Sequence, residues 1–258
     1  MTGGPVVLSI LLPVRNEGIN LRIMLKMLRV MIEIPHEVIV VHDDAEDDSL
    51  DAVAAAQAGY PSLVSVHNRL GRGVANAIRA GVAAASGRYV LIFAADEVGP
   101  VMAIDQMLTL MDQGCDLVSC TRYAYGGRRL GGSFVGGLLS RLANSLYRRF
   151  AGSALTDGTT GIKMFRRELF STLPLASGPV GWVVAFEIAI RAELAGWRLG
   201  EVPIISIDRL YGGTSTFRLG PWAAAYLRWF WWGIGSMRRS PYRGRQAVHF
   251  VAGQSTTR

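Results

Sequence analysis

The strongest constraint on the fold is a regular alternation of apolar runs and helical patterns through the first 120 residues. Five short apolar runs predict strands over 6–12, 37–41, 63–66, 88–94 and 116–120. Between them, apolar residues at helical spacing predict helices over 16–31, with Asn16 as its cap, and near 50–58, 73–85 and 102–111. Strands that are apolar throughout are covered on both faces, so the alternation predicts an α/β fold with a mostly parallel sheet between helices.

The composition agrees with a folded domain plus a smaller appendage. The chain has 258 residues, of which 50% are apolar and 18% charged, and this excludes a disordered protein. Its two cysteines, Cys115 and Cys120, are expected in one strand, five residues apart and therefore on opposite faces, where they cannot pair. No positively charged leader precedes the first strand. We therefore expect a reducing, cytoplasmic setting.

Charge is distributed unevenly along the chain. Residues 1–119 carry 8 Lys and Arg against 14 Asp and Glu, whereas residues 120–258 carry 19 against 6. This division favours a cation or hydroxylated ligand for the first half and an anionic partner for the second. Nucleic acid is not favoured as that anion, because the basic stretches lack interleaved aromatic residues and zinc-ligand spacing.

Two segments of the basic half have apolar residues flanked by arginines. The pattern over 134–150 is typical both of a helix packed on the sheet and of a helix in a membrane interface. Residues 222–232 hold four tryptophans and are followed by arginines, which favours the headgroup level of a bilayer. The segment is too short to span a membrane. We therefore predict a sheet domain over 1–217 and a membrane-associating tail over 218–258.

Acidic residues follow two of the predicted strands, at the edge where parallel sheets bind ligands. Asp43 and Asp44 follow the second strand, and Asp96 and Glu97 follow the fourth. Carboxylates this close repel one another unless a cation or ligand hydroxyls lie among them. Carboxylates are also the ligands that Mg²⁺ and Mn²⁺ prefer, which favours a metal near Asp96. The following residues 47–48 are interpreted as a solvated helix start.

Other catalytic classes are not favoured. The four histidines lack metal-ligand spacing, and the chain contains no Gly-x-Ser-x-Gly sequence. The Gly-Arg-Gly at 71–73 has neither the third glycine of a dinucleotide loop nor its position after the first strand. A hydrolase or a dehydrogenase is therefore not predicted.

Taken in order, these segments resemble the family 2 glycosyltransferases, which have the GT-A fold. Within that family they are most similar to the polyprenyl-phosphate glycosyltransferases of the dolichyl-phosphate mannose synthase group. The resemblance extends from about residue 7 to residue 217. The elements that carry it are Leu-Pro-Val-Arg-Asn-Glu at 12–17, Val-Val-His-Asp-Asp at 40–44, Gly-Arg-Gly at 71–73, Asp96, Thr-Arg-Tyr at 121–123, Ser-Arg-Leu-Ala-Asn at 140–144, Asp-Gly-Thr-Thr-Gly at 157–161, Phe-Glu at 186–187, Glu-Val-Pro-Ile at 201–204 and Asp-Arg at 208–209.

The resemblance implies inverting transfer of a sugar from a nucleotide-sugar donor to a polyprenyl phosphate, at the inner surface of the cell membrane and with Mg²⁺ or Mn²⁺ as cofactor. It implies metal binding by Asp96 with Glu97, and phosphate-facing roles for Arg122 and Arg209. The implied donor-binding residues are Pro13, Arg15, Glu17, Asp43, Asp44, Arg72, Ala95, Ser215 and Arg218, and the implied acceptor-phosphate residues are Arg128, Arg129 and Arg141.

The chain departs from the family pattern at several positions. Ala94 stands where the metal motif usually has a leading aspartate, and Arg15 stands where an aromatic residue is common. Gly136 and Gly137 replace an arginine pair of the acceptor region, for which the arginines at 128–129 are the expected substitutes.

Two other functions remain open. The first is a family 2 transferase acting on a soluble saccharide or a protein hydroxyl, which would need a general base, with Asp157 or Glu187 as the candidates. The second is a catalytically silent, membrane-associated binding partner, which the absent leading aspartate brings into consideration.

Overall fold

The predicted alternation of strands and helices forms one eight-stranded sheet with helices on both faces. The computed structural model describes residues 5–131, 134–179, 181–207 and 219–250. In chain order the strands and helices are β1 (Leu8–Pro13), α1 (Gly18–Met31), β2 (His36–His42), α2 (Ser49–Gln57), β3 (Leu63–His67), α3 (Val74–Ala84), β4 (Tyr89–Ile92), a 3₁₀ helix (Gly99–Ala103), α4 (Ile104–Asp112), β5 (Leu117–Thr121), β6 (Arg128–Leu130), α5 (Phe134–Ala151), β7 (Lys163–Arg166), α6 (Arg167–Phe170), α7 (Val183–Leu194), β8 (Leu199–Pro203), β9 (Ile205–Ile207), α8 (Leu219–Met237) and β10 (Val248–His249).

The sheet is mixed, with one antiparallel strand at its centre. Its strand order is β10-β8-β5-β7-β4-β1-β2-β3, and β7 is antiparallel to both of its neighbours while the other pairs are parallel. From β1 the chain first moves outward through β2 and β3 and then returns to the opposite side at β4. This reversal leaves a crevice at the carboxyl ends of β1 and β4, where α/β sheets bind ligands. The predicted mostly parallel α/β fold is confirmed.

The strands alternate between two apolar layers. In β1, Leu8, Ile10 and Leu12 belong to one buried cluster, and Leu11 belongs to the other. The first layer is closed by α1 and α4, and the second by α3 and α7. Both faces of the central strands are therefore buried, which is why they read as continuous apolar runs.

Two local expectations are wrong. Cys115 precedes β5 instead of lying within it, and both thiols are buried in the same apolar cluster, unpaired. Helix α1 begins at Gly18, and Asn16 does not cap it, because Asn16 takes a positive φ of 55° in the turn before the helix. Asparagine is one of the few non-glycine residues that adopt this conformation readily.

The described part of 218–258 does not lie apart from the sheet domain. Helix α8 packs on α7 and α5, and Trp229, Ile234 and Met237 are buried there in a third apolar cluster. Strand β10 then pairs with β8 and becomes the eighth strand of the sheet. The prediction of a tail over 218–258 rested on the Trp and Arg composition, which does not distinguish the inward face of α8 from its outward face.

No helix in the described parts of the chain combines the length and the apolar character needed to cross a membrane.

Candidate active site

An open pocket of about 270 Å³ lies at the carboxyl ends of β1 and β2. The turns that follow these two strands and the turn before α3 supply its walls. Its lining residues are Arg15, Asn16, Asp43, Asp44, Glu46, Asp47 and Arg72. Four of the predicted donor-binding residues are thus brought together, on segments that are 28 or more residues apart in the chain.

Asp43 is held in place by the loop that follows β3. Its Oδ1 accepts a hydrogen bond from the Asn68 amide at 2.7 Å, and its Oδ2 accepts one from the Gly73 backbone N–H at 2.9 Å. Gly73 has a φ of 120°, and a Cβ there would lie 2.6 Å from Pro179, so a larger residue does not fit. Asp43 is therefore a pre-positioned acceptor in the pocket wall. Asn68 belongs to none of the motifs quoted above, and only its contact with Asp43 identifies it.

Asp44 and Arg72 form an exposed ion pair beside the pocket, with 2.7 Å between Arg72 Nη2 and Asp44 Oδ2. Pairs this exposed contribute only about 0–1 kcal/mol, since water screens both partners. Replacing this ion pair by contacts with a charged ligand would therefore cost little free energy.

The carboxylates at 47–48 bind the start of α1, and the prediction of a solvated helix start is wrong for Asp47. Its Oδ1 accepts hydrogen bonds from the N–H groups of Asn16, at 3.1 Å, and Ser49, at 2.9 Å, and its side chain is buried. Asp48 accepts from the Gly18 N–H at 2.9 Å. The start of α2 thus satisfies backbone donors at the start of α1, which have no partners within that helix.

The predicted donor residues on β1 and its turn have different environments. Pro13 ends β1 and is partly exposed, and Arg15 is exposed at the pocket. The Glu17 carboxylate accepts a hydrogen bond from the Asn20 amide at 2.6 Å and immediately precedes α1. Ser215, Arg218 and Arg209 lie outside the described residues.

Asp96 and Glu97 occupy the turn that follows β4. Both are partly exposed and Ala95 between them and the strand is buried. Glu97 Oε2 accepts a hydrogen bond from the Ser206 hydroxyl at 3.1 Å, which ties the turn to β9. Within the described residues there is no group of three His, Cys, Asp or Glu that could hold a metal. Mg²⁺ commonly needs only one or two carboxylates when phosphates and waters complete its shell, so the donor set at this turn fits such an ion.

Arg122 is held in a buried, bidentate ion pair at the end of β5. Its Nε lies 2.7 Å from Asp157 Oδ2, and its Nη2 lies 3.0 Å from Asp157 Oδ1 and 3.1 Å from the Thr159 hydroxyl. Burial opposes both charges, but the two partners outweigh it: the pKa of Arg122 is raised and that of Asp157 is lowered. Both groups are therefore charged at neutral pH, and the pair is fixed in orientation.

Two further ionisable groups lie buried behind this pair. Burial lowers the pKa of Lys163 to about 8, and its Nζ donates to the Ser119 hydroxyl and to the Thr160 carbonyl. Burial raises the pKa of Glu201 to about 7, although Glu201 Oε1 accepts hydrogen bonds from Thr156 and from the Asp157 N–H. The hydrogen bonds of Lys163 and Glu201 hold the segment that carries Asp157 in place from the core side.

Glu187, the other candidate base, is buried on α7. Its oxygens accept the backbone N–H groups of Ala176, at 2.6 Å, and Ser177, at 2.7 Å, and the Arg191 Nε at 2.5 Å. It thus connects α7 to the loop that precedes it. Both candidate general bases, Asp157 and Glu187, already have hydrogen-bonded cationic partners in this structure.

The predicted acceptor arginines lie on β6 and on α5. Arg128 and Arg129 are on β6, which pairs with β9 in a small second sheet. Arg129 reaches over α5, where a Cβ on Gly137 would lie 3.6 Å from its Nη1. The Arg129 guanidinium thus lies against the helix where glycines replace the family's arginines. Arg141 is exposed on α5, one turn further along.

The outward face of α5 is apolar and exposed. Phe134 is 84% exposed, Leu138 57% and Leu142 52%. The inward face carries polar side chains, of which Asn144 is 4% exposed and bonds to the 158–159 turn. Asn144 ends the Ser-Arg-Leu-Ala-Asn motif, and its partner Thr159 lies 15 residues away in the chain, so the motif alone does not indicate its role.

The mixed sheet, with its reversal of strand order at β1 and its pocket at the carboxyl ends of β1 and β2, has the GT-A glycosyltransferase fold. Glucosyl-3-phosphoglycerate synthase from Mycobacterium tuberculosis, solved in complex with Mn²⁺, uridine-diphosphate and glucosyl-3-phosphoglycerate, superposes with a TM-score of 0.66 at 20% sequence identity. The superposition covers 89% of this chain and 80% of that one. The chain belongs to glycosyl transferase family 2, since that family's model matches residues 9–173. The predicted family is confirmed.

Two relatives are similar over most of this chain. Dolichol-phosphate mannosyltransferase of Pyrococcus furiosus is 25% identical over 198 residues, which cover 76% of this chain and 55% of that protein. Polyprenol monophosphomannose synthase of Mycolicibacterium smegmatis is 29% identical over 209 residues, which cover 79% and 78%. This chain therefore spans about half the length of the Pyrococcus protein.

Proposed function

We propose that this protein transfers a sugar from a nucleotide-sugar donor to the phosphate of a polyprenyl lipid at a membrane surface. The single observation that carries the proposal is the arrangement around the sheet edge. An acidic pocket and an acidic turn lie at the ends of β1, β2 and β4, while arginines and the exposed apolar face of α5 lie beyond the end of β5. The names of the two relatives agree with this substrate class.

For the donor, the proposal assigns the pocket to the nucleoside and the turn after β4 to the diphosphate. Asp43 is a fixed acceptor for ribose or base donors, and Arg15 and Arg72 are exposed cations at the same pocket. Hydrogen bonds from a ligand to an ionised group contribute roughly 1.5–3 kcal/mol each. Glu17, further along the turn, is assigned to the same nucleoside site.

Asp96, with Glu97 beside it, is assigned to a Mg²⁺ or Mn²⁺ ion. When bound, such an ion would act as a Lewis acid that stabilises the negative charge on the departing diphosphate. Asp96 is the chief ligand in this assignment, because it stands in the segment that resembles the metal motif of the family. Diphosphate oxygens and waters would complete the shell, as is usual for Mg²⁺.

For the acceptor, a lipid phosphate supplies its own negative charge. One of its oxygens attacks the anomeric carbon from the face opposite the diphosphate, the bond to the diphosphate breaks, and the configuration inverts. Because that oxygen is already ionised, no carboxylate has to remove a proton. This agrees with the state of Asp157 and Glu187, which are both bonded to arginines. Arg129, with Arg128 and Arg141, is assigned to hold the phosphate. Arg122, whose charge is balanced by Asp157, is assigned to order the wall of the site beside them.

We assign the contact with the membrane surface to α5. Its exposed apolar residues lie beside Arg141, Arg148 and Arg149, a combination that suits an anionic lipid interface. Leu227 and Trp231 on α8 are also exposed. The proposed location is peripheral, at the cytoplasmic face.

The test is a transfer assay from a panel of nucleotide sugars to a short-chain polyprenyl phosphate, with the unphosphorylated alcohol as control. We expect transfer to the phosphate and not to the alcohol. Arg129→Ala should lower kcat/KM for the lipid phosphate by about tenfold or more, and Arg22→Ala, an exposed arginine on α1, should not. Equal use of the alcohol would contradict the lipid-phosphate acceptor. Absence of metal-dependent donor hydrolysis, together with absence of transfer, would favour a silent binding partner.

A further inference from the structure

Helix α5 is fastened to the Arg122–Asp157 pair by a closed set of hydrogen bonds. Asn144 Nδ2 donates to the Thr159 hydroxyl at 2.9 Å and to the Ser140 carbonyl at 2.9 Å, and Asn144 Oδ1 accepts the Gly158 N–H at 3.0 Å. A second link runs from the Tyr123 hydroxyl to the Ser140 hydroxyl at 2.8 Å. Both links join the inward face of α5 to segments that flank the ion pair.

The Thr159 hydroxyl uses its full bonding capacity in this set. It accepts from Asn144 and from Arg122 Nη2, and it donates to Asp157 Oδ1 at 3.0 Å. A hydroxyl has one proton to donate and two lone pairs to accept, so its orientation is determined by these three partners. Through the Thr159 hydroxyl, the position of Asn144 therefore affects the orientation of both Arg122 and Asp157.

Asparagine is the side chain that this position requires. It must donate twice through its amide nitrogen and accept once through its oxygen. An aspartate has the same shape but cannot donate, and its charge would face the Thr159 oxygen, whose proton is already directed to Asp157. The position is also almost completely buried, so an unsatisfied partner there is costly.

We propose that Asn144 is a positioning residue for acceptor use. It fixes the 157–159 turn, and with it the Arg122 guanidinium, to the helix whose outward face is the apolar surface described above. The inference rests on the proposed function, because it takes the Arg122 end of the sheet as the acceptor side. Its consequence is that the orientation of the ion pair is set by α5 and not by the sheet alone.

The experiment compares isosteric variants in the full chain. Asn144→Asp and Thr159→Val remove the link, Thr159→Ser retains the hydroxyl, and Ser145→Ala changes an exposed neighbour on the same helix. Three quantities are measured for each: the unfolding midpoint, the KM for the nucleotide sugar in acceptor-free hydrolysis, and kcat/KM for a short-chain polyprenyl phosphate.

We expect Asn144→Asp and Thr159→Val to lower kcat/KM for the lipid phosphate by about tenfold or more, while the KM of the nucleotide sugar changes by less than about twofold. Ser145→Ala should behave as the unchanged protein, and Thr159→Ser should recover most of the rate. The double variant should be no worse than the worse single one, because both changes break the same link.

Wild-type kcat/KM for the acceptor in a folded Asn144→Asp or Thr159→Val variant would overturn the inference and leave Asn144 a packing contact. If Asn144→Asp does not fold, Asn144→Ala, which removes the same bonds without introducing a charge, decides the question, because Thr159→Val also breaks the bonds of Thr159 to Arg122 and Asp157. If the proposed function itself is wrong, the result is different: the unchanged protein then uses the lipid phosphate and the alcohol equally.

Discussion

Asp96 is the residue on which the proposed metal chemistry depends, because Ala94 stands where the metal motif of the family usually has a leading aspartate. We expect Asp96→Asn to remain folded and to lose most metal-dependent donor turnover, on the order of a hundredfold, since a neutral amide is a poor ligand for Mg²⁺ or Mn²⁺. Glu97→Gln should have a smaller effect.

The measurement is nucleotide-sugar hydrolysis as a function of Mn²⁺ concentration, with Asp105→Asn, an exposed carboxylate on α4, as the matched control. Full activity of Asp96→Asn at low Mn²⁺ would remove Asp96 from the metal site.

At the scale of elements, α5 has two faces with different partners. Its inward face bonds to the site, and its outward face is apolar and exposed. We expect the double variant Leu138→Ser, Leu142→Ser to keep its unfolding midpoint, because both side chains are more than half exposed. Its affinity for anionic vesicles should fall about tenfold, since two leucines no longer enter the interface.

Vesicle sedimentation measures this, and Val30→Ser on α1, where Val30 is 80% exposed, is the control. Binding of the unchanged protein should also weaken with added salt, because the flanking arginines contribute by charge. If the α5 variant sediments as well as the control, the membrane contact belongs to another surface.

At the scale of the whole molecule, the C-terminal segment completes the domain. Removing 219–258 would take away β10 and the three buried side chains of α8, Trp229, Ile234 and Met237. Burying each such side chain contributes roughly 1.5–3 kcal/mol, so we expect the unfolding midpoint to fall by about 10 °C or more, with aggregation. Calorimetry on this truncation and on one that removes only 251–258 gives the comparison. An unchanged unfolding midpoint after the longer truncation would instead indicate that the tail is separable from the sheet domain.

The buried carboxylates make stability depend on pH in a defined direction. Burial raises the pKa of Glu201 and of Glu193 to about 7, from 4.5 when unfolded. Between these values the folded state holds more protons than the unfolded state, so the free energy of unfolding decreases as the pH rises from about 5 to about 7. Lys163 has the opposite effect, because burial lowers its pKa to about 8 from 10.5. Between these values the unfolded state holds more protons than the folded state, so the free energy of unfolding increases from pH 8 upward.

Thermal unfolding measured from pH 5 to pH 10 should therefore show its lowest stability between about 7 and 8. Glu201→Gln keeps the acceptor oxygen and should flatten the decline between pH 5 and 7. If the stability of Glu201→Gln declines by the same amount between pH 5 and 7, the pH dependence arises from other groups.

The amino-acid sequence by itself determined the layered sheet, the positions of its first strands along the chain and the acidic edge. These follow from local apolar patterns and from residues directly after each strand, and both are visible without distant contacts. The pairing of Asp43 with Asn68, of Arg122 with Asp157 and of Asn144 with Thr159 was decided only by the tertiary structure. Those contacts join residues 15 to 35 positions apart in the chain. The inward face of α8 and the placement of β10 at the sheet edge were also decided there, because burial depends on which surface a segment meets and not on its composition.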